Sequence, residues 1–313
     1  MKNIFKRNIS LKDYTTYKIG GKAEYFFIAK TKEDLINAVK TAKSSKLPIF
    51  ILGGGSNVLF SDKKIKGLVI KIDILDINFQ GNKVVVGAGI DLTKLSYLLS
   101  EKGLSGLEWS TGVPGTVGGA IYGNAQAFGT KISDAIESVQ AIDVKTSKIK
   151  DFPKDRCKFS LKNSVFKKNK NLVIISSTLK FEKKNEEEIK NKIKEYLDYR
   201  KKNHPMSFPS AGSTFVNPEI VVKNKKLLEK YPELKGFNEK KVIPAGYLIA
   251  KSGLIGKKIG RAQISEKHAN FILNLGGAKA KDVKALITLA QRKVKKNFNI
   301  QLQPEVQFVG FGK

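Results

Sequence analysis

A mixed α+β fold is predicted from three observations. Short β-rich runs alternate irregularly with amphipathic helical stretches, two segments concentrate glycine, and 313 residues make room for about two domains. The first β-rich run is Ala23–Ala29. Thr31 then opens a Thr-x-x-Asp capping pattern ahead of Leu35, Ile36, Val39 and Ala42, which predicts a helix. Pro48–Leu52, Leu68–Ile72 and Lys83–Val86 read as strands. Asp91 opens a second helix through Leu92, Leu95, Leu98 and Leu99, stopped by Gly103. Leu172–Phe181 is a further strand. In the charge-dense stretch Lys180 to Lys202, Ile189, Ile193, Tyr196, Leu197 and Arg200 fall at helical spacing, so its charges form a solvated face. The next segment, NHPMSFPSAGS, has two prolines and small residues and reads as a domain boundary. Asn270–Leu275 and Glu305–Val309 read as strands around a helix with the stripe Val283, Leu286, Ile287, Ala290 and Val294.

Composition narrows the function. Hydrophobic residues make up 41% and aromatic residues 9%, enough for sizeable cores. No apolar run approaches the roughly 18–20 residues of a membrane helix, and the first residues lack a signal-peptide core. A single cysteine, Cys157, excludes an internal disulfide and a Cys-only zinc site. With only His204 and His268 besides, no metal is expected, and the chain reads as soluble and cytoplasmic. The net charge of +30 suggests polyanionic partners, yet only five of the 58 basic residues are arginine and the lysines are scattered. A solvated surface is expected, with no nucleic-acid or membrane partner; an anionic small-molecule substrate fits the same charge.

The glycines carry the chemistry. An apolar strand runs into Gly53-Gly54-Gly55-Ser56-Asn57, whose successive N–H groups can cradle an anion. A tight turn between strands is the competing explanation. From Gly106 to Gly129 there are seven glycines, with Trp109, Val113, Val117, Ile121 and Phe128 interleaved for burial. So much glycine argues against a helix and for a backbone wall laid against a flat cofactor. Neither a P-loop nor a Rossmann fingerprint occurs, so any dinucleotide is bound by another fold.

Six motifs in order resemble the UDP-N-acetylenolpyruvoylglucosamine reductase family over nearly the whole chain: TTYKIGGKAEYFF, LGGGSNVLF, GLEWSTGVPGTVGGAIYGNA, FPSAGSTFVNP, AGYLIAKSGLIGKKIGRAQISEKHANFILN and QPEVQFVG. The resemblance implies a vanillyl-alcohol-oxidase-type FAD-binding fold in two subdomains, residues 1–72 and 73–203. A C-terminal α+β substrate domain, residues 204–313, follows, its last strand (about 300–313) returning to the active site. The short distance from Lys162 to Ser213 resembles the subtype without a long substrate-covering loop. FAD is expected on Gly53, Gly54, Gly55, Ser56, Asn57, Val58, Ser110, Thr111, Gly112, Pro114, Gly115, Gly118, Gly119 and Ala120. NADPH is the implied reductant, a sugar nucleotide the substrate, and a monomer the expected state.

The family's reaction adds a hydride to C3 of an enolpyruvyl ether, so negative charge develops at C2 and a proton must be delivered there. Ser213 matches the family's proton donor and Glu305 its catalytic glutamate, which would have to hold or share a proton to help an anion. The family's Tyr-Arg-x-Ser reads here Leu161-Lys162-Asn163-Ser164. Lys162 keeps the charge and loses the planar fork that grips a carboxylate. Arg156 or Arg261 is an alternative source of that fork. Asn217, Arg200, His268 and Ser164 are the expected substrate contacts, Arg200 for the diphosphate. Two other readings stand beside this one: another FAD-dependent oxidoreductase of the same fold, and a family member impaired by Lys162. A basic nucleic-acid-binding protein is a third class, disfavoured by the lack of a clustered basic face.

Overall fold

The computed structural model describes Ile4–Gly312, and the chain divides into two compact units. The first comprises Met1–Ser10, Lys22–Gly55 and Lys64–Lys202; the second comprises Leu11–Gly21, Ser56–Lys63 and Asn203–Lys313.

The first unit contains two sheets. In the four-stranded one the order is Lys6–Ser10, Lys22–Ala29, Ile65–Ile72, Ile49–Leu52, the last three parallel and the first antiparallel. The helix Lys32–Ser44 follows the second of these strands, and Thr31 closes a capping box with Asp34. Leu35, Ala38, Val39 and Ala42 are its buried face, as the apolar spacing requires. The five-stranded sheet is antiparallel, in the order Lys148–Pro153, Ile136–Asp143, Leu172–Lys180, Lys83–Gly87, Ile77–Gln80. One apolar core, from Phe5 to Phe181 and including Trp109, fills this unit.

A helix, Val117–Gly123, forms inside the second glycine segment, against the expectation from composition. Three local features outweigh the glycine cost. Thr116 accepts the Gly119 N–H, Val117 and Ile121 are fully buried, and Gly118 lies where an added Cβ would stand 2.8 Å from the Ala88 Cβ. Glycine here permits close packing of helix on strand.

The second unit has its own core, running from Tyr17 and Leu59 to Leu302 and Val306. Its long helix, Ala280–Phe298, buries Val283, Leu286, Ile287, Ala290, Val294 and Phe298. A three-stranded antiparallel sheet consists of Lys258–Ile259, Ala262–Ile264 and Ile272–Asn274. Gln307–Val309 pairs in parallel with Val58–Phe60. Three short helices, Lys225–Lys230, Glu233–Glu239 and Ala245–Lys251, have no counterpart in the sequence reading. The α+β class holds throughout. Among the described residues no helix is long and apolar enough to cross a membrane.

Candidate active site

In the first unit the two glycine segments touch. A Cβ on Gly54 would stand 2.7 Å from the Gly115 Cα, and one on Gly53 would stand 2.8 Å from Thr116 Oγ1. A side chain on Gly54 would displace the opposite backbone, and one on Gly53 would displace the Thr116 side chain. The wall is fixed from behind: Leu92 donates to the Gly115 carbonyl at 3.0 Å, Val117 to Ile90 at 2.9 Å and Gly118 to Ala88 at 2.9 Å. The N–H groups of Gly54, Gly55, Gly115 and Thr116 have no acceptor among the described residues. Four unpaired donors on two abutting loops suit the oxygens of a pyrophosphate. Elsewhere in this unit Trp109 Nε1 and Asn124 Oδ1 are buried without a partner among the described residues, an uncommon cost for a folded chain. These features fit a polar, anionic cofactor such as FAD.

The side chains expected on FAD have other partners. Ser110 Oγ donates to the Leu107 carbonyl at 2.7 Å, and Thr111 Oγ1 pairs with Ser96 Oγ at 2.8 Å; both residues are fully buried. Arg200, expected on the diphosphate, is 6% exposed and reaches back to the same loop. Its Nε donates to the Thr111 carbonyl at 3.0 Å and its Nη2 to that of Trp109 at 2.8 Å. Its guanidinium lies over the Phe128 ring, which stacks on Tyr196 at 4.2 Å. Burial lowers the pKa of Arg200, and the two carbonyls and the ring face compensate the charge. Gly112, at φ +78°, lets the loop pass Arg200 Cδ and Leu197 Cδ2, each 3.2 Å from where a Cβ would be.

Lys162 sits on a tight turn in this unit, its own φ at +51°. Ser160 and Asn163 exchange two backbone bonds of 3.1 Å across it. Asn124 Nδ2 holds the Ser160 carbonyl at 3.0 Å, and Lys167 Nζ holds the Lys162 carbonyl at 2.8 Å. Ser164, expected on the substrate, is buried: its Oγ donates to the Tyr122 carbonyl at 2.8 Å and caps the turn Val165–Lys168. Burial raises the Tyr122 phenol.

The second unit brings Ser213 and Glu305 together. The segment around Ser213 is threaded between two others. Ser213 bridges Phe271, Phe215 bridges Pro304, and Glu305 donates its N–H to the Thr214 carbonyl at 2.8 Å. Ser213 and Glu305 thus stand on adjacent, hydrogen-bonded backbones, the usual spacing of which is about 4.8 Å. Both are half-buried. Gly212, at φ +70°, makes the turn into Ser213. The strand predicted over Glu305–Val309 starts only at Gln307, so Glu305 precedes it instead of lying within an apolar strand. Asn57 ties this edge down, donating Nδ2 to the Glu305 carbonyl at 3.3 Å and accepting the Gln307 N–H at 3.1 Å. Thr214 Oγ1 and Asn57 Oδ1 remain buried without a partner among the described residues.

Asn217 is exposed, and its Oδ1 accepts the Ala245 N–H at 3.0 Å, capping the short helix there. His268 Nδ1 accepts the Asn270 N–H at 3.3 Å, which leaves the ring proton on Nε2. Burial lowers the His268 pKa. Its ring meets those of Phe271 at 4.9 Å and His204 at 5.6 Å. Asn124, His204 and Asn270 escaped the sequence reading. Nothing in the spacing of a lone Asn marks it as buried, nor does that of His204 show that its ring meets those of His268 and Phe271.

Two family models match the chain: one described as FAD binding domain over residues 23–152, and one described as UDP-N-acetylenolpyruvoylglucosamine reductase, C-terminal domain, over residues 204–309. The UDP-N-acetylenolpyruvoylglucosamine reductase of Caldicellulosiruptor bescii is 39% identical over 98% of this chain and 91% of its own. That of Caldanaerobacter subterraneus is 36% identical over 97% and 93%. The crystal structure of UDP-N-acetylenolpyruvylglucosamine reductase from Thermus caldophilus superposes with a TM-score of 0.78 at 31% identity, covering 97% of this chain and 98% of the other.

Proposed function

The chain belongs to the UDP-N-acetylenolpyruvoylglucosamine reductase family, and from that premise we propose that it reduces UDP-N-acetyl-3-O-(1-carboxyvinyl)glucosamine to UDP-N-acetylmuramate. The reaction is a cytoplasmic step of peptidoglycan precursor synthesis, with FAD as cofactor and NADPH as reductant. FAD, when bound, supplies the path by which a hydride reaches C3 of the vinyl group. Gly54, Gly55, Gly115 and Thr116 would hold it through their unpaired N–H groups, and Arg200 braces the loop carrying Gly112 through the carbonyls of Trp109 and Thr111. In this reading residues 1–72 and 73–203 are the FAD subdomains and 204–313 the substrate domain.

The chain's own chemistry lies in one proton transfer and one charge stabilisation. Ser213 Oγ gives its proton to C2, where the electron pair of the former double bond collects. A hydroxyl is a weak acid, so it donates only to a base as strong as that carbon. Glu305, on the adjacent backbone, shares a proton with the developing anion. Lys162 places positive charge against the substrate carboxylate, into which the charge spreads. Asn217 and His268 contact the sugar nucleotide. The observation that carries this reading is the placement of Ser213 and Glu305 on hydrogen-bonded neighbouring segments, although 92 residues separate them.

The decisive experiment is anaerobic. NADPH should bleach the yellow protein, and the enolpyruvyl substrate should restore the oxidised spectrum. Ser213→Ala should leave the bleaching unchanged and slow the recovery about 10²–10⁴-fold. Recovery at the original rate would remove Ser213 from the mechanism. Bleaching without recovery in the unmodified protein would instead favour an impaired family member.

A further inference from the structure

Asn270 lies where the Ser213 segment is gripped. Its Oδ1 accepts the Phe215 N–H at 3.0 Å, its Nδ2 donates to the Phe215 carbonyl at 2.9 Å, and its own carbonyl accepts the Thr214 N–H at 2.7 Å. The side chain therefore offers Phe215 the donor and acceptor that a neighbouring strand would offer. Asn270 and Phe215 are 3% and 2% exposed, so water does not compete for these groups. The gripped residues adjoin both reacting groups. Ser213 precedes Thr214, and the Thr214 carbonyl takes the Glu305 N–H. From the other side, His268 Nδ1 accepts the Asn270 N–H.

We propose that Asn270 is a positioning residue that sets the register of the segment carrying Ser213, and so fixes Ser213 Oγ relative to Glu305 for the protonation step. The inference rests on the roles given above to those two residues. Only an amide of this length fulfils the task. Aspartate has no donor for the Phe215 carbonyl. Glutamine carries both groups one methylene further out and pushes the segment away by about 1 Å, a displacement of the size that costs about 10²-fold in rate.

The test uses Asn270→Gln and Asn270→Asp in the full FAD-loaded protein, each alone and combined with Ser213→Ala. Flavin reduction by NADPH and reoxidation by the enolpyruvyl substrate are timed separately. Either single variant should reduce at the original rate and reoxidise at least about 10-fold more slowly. In the Ser213→Ala background the same change should have no further effect on reoxidation, since the group being positioned is gone. Additive slowing would show general damage to the domain and overturn the proposal, as would reoxidation at the original rate. Equal loss in both half-reactions would overturn it too. If Ser213→Ala alone reoxidises normally, the donor role itself falls, which separates that failure from a failure of Asn270 to position.

Discussion

Lys162 shows what one residue exchange does when its surroundings are fixed. The turn beneath it is held by Asn124, Lys167 and the paired backbones of Ser160 and Asn163, so the backbone that carries Lys162 is fixed. The ammonium on its four-carbon stem delivers charge without the two-pronged geometry of a guanidinium. Lys162→Arg should keep or raise turnover, while Lys162→Ala should slow flavin reoxidation by the substrate about tenfold or more. If the alanine variant turns over like the unmodified protein, this cation has no part in the reaction. The position of Lys162 was legible only through the resemblance to the family's Tyr-Arg-x-Ser, of which Ser164 is retained. The inward direction of Ser164, Ser110 and Thr111 was not, because a hydroxyl reads alike in sequence whether it faces a ligand or a buried carbonyl.

The glycine segments and the helix Glu186–Asn203 act as one assembly of elements. The helix sends Arg200 across to two loop carbonyls, and Phe128, at φ +52°, lays its ring against both Arg200 and Tyr196. Arg200→Met should strand the carbonyls of Trp109 and Thr111 in a buried place and lower stability by about 2–4 kcal/mol in urea unfolding. The purified variant should also lose FAD on dilution. A variant as stable and as yellow as the original would show that the brace is dispensable. Gly54→Ala tests the contact between the loops. Its Cβ would sit 2.7 Å from the Gly115 Cα, a clash worth about 1–3 kcal/mol, and FAD affinity should fall about tenfold or more in a fluorescence titration. The helical spacing of Ile189, Ile193, Tyr196, Leu197 and Arg200 correctly foretold the helix. The burial of the Arg200 guanidinium against its own protein was not legible, because a charged residue on an amphipathic helix is ordinarily at the surface.

At the scale of the whole molecule, acid should weaken the fold through His268. Burial holds its folded-state pKa below the ordinary value of about 6.5. Above that value both folded and unfolded chains carry the neutral ring and nothing is gained or lost. As pH falls through it, the unfolded chain takes up a proton that the folded chain refuses, so stability declines until the depressed pKa is passed. The slope from this one group is at most about 1.4 kcal/mol per pH unit. Comparing the melting temperature of the unmodified protein with His268→Gln between about pH 7.5 and pH 5.5 should show a shallower decline in the variant; parallel declines would refute it. The sequence by itself determined the α+β class, the main helices through their apolar period, the two glycine-dense segments and the order of motifs that marks the family. Each element or motif among these is read from residues near one another along the chain. The membership of Leu11–Gly21 and Ser56–Lys63 in the C-terminal unit, the meeting of Gly54 with Gly115, and the threading of the Ser213 segment between those of Asn270 and Glu305 were settled by the three-dimensional fold. Each of these is a contact between distant segments, set by burial and backbone hydrogen bonding in three dimensions, and local sequence carries no record of which partner fills them.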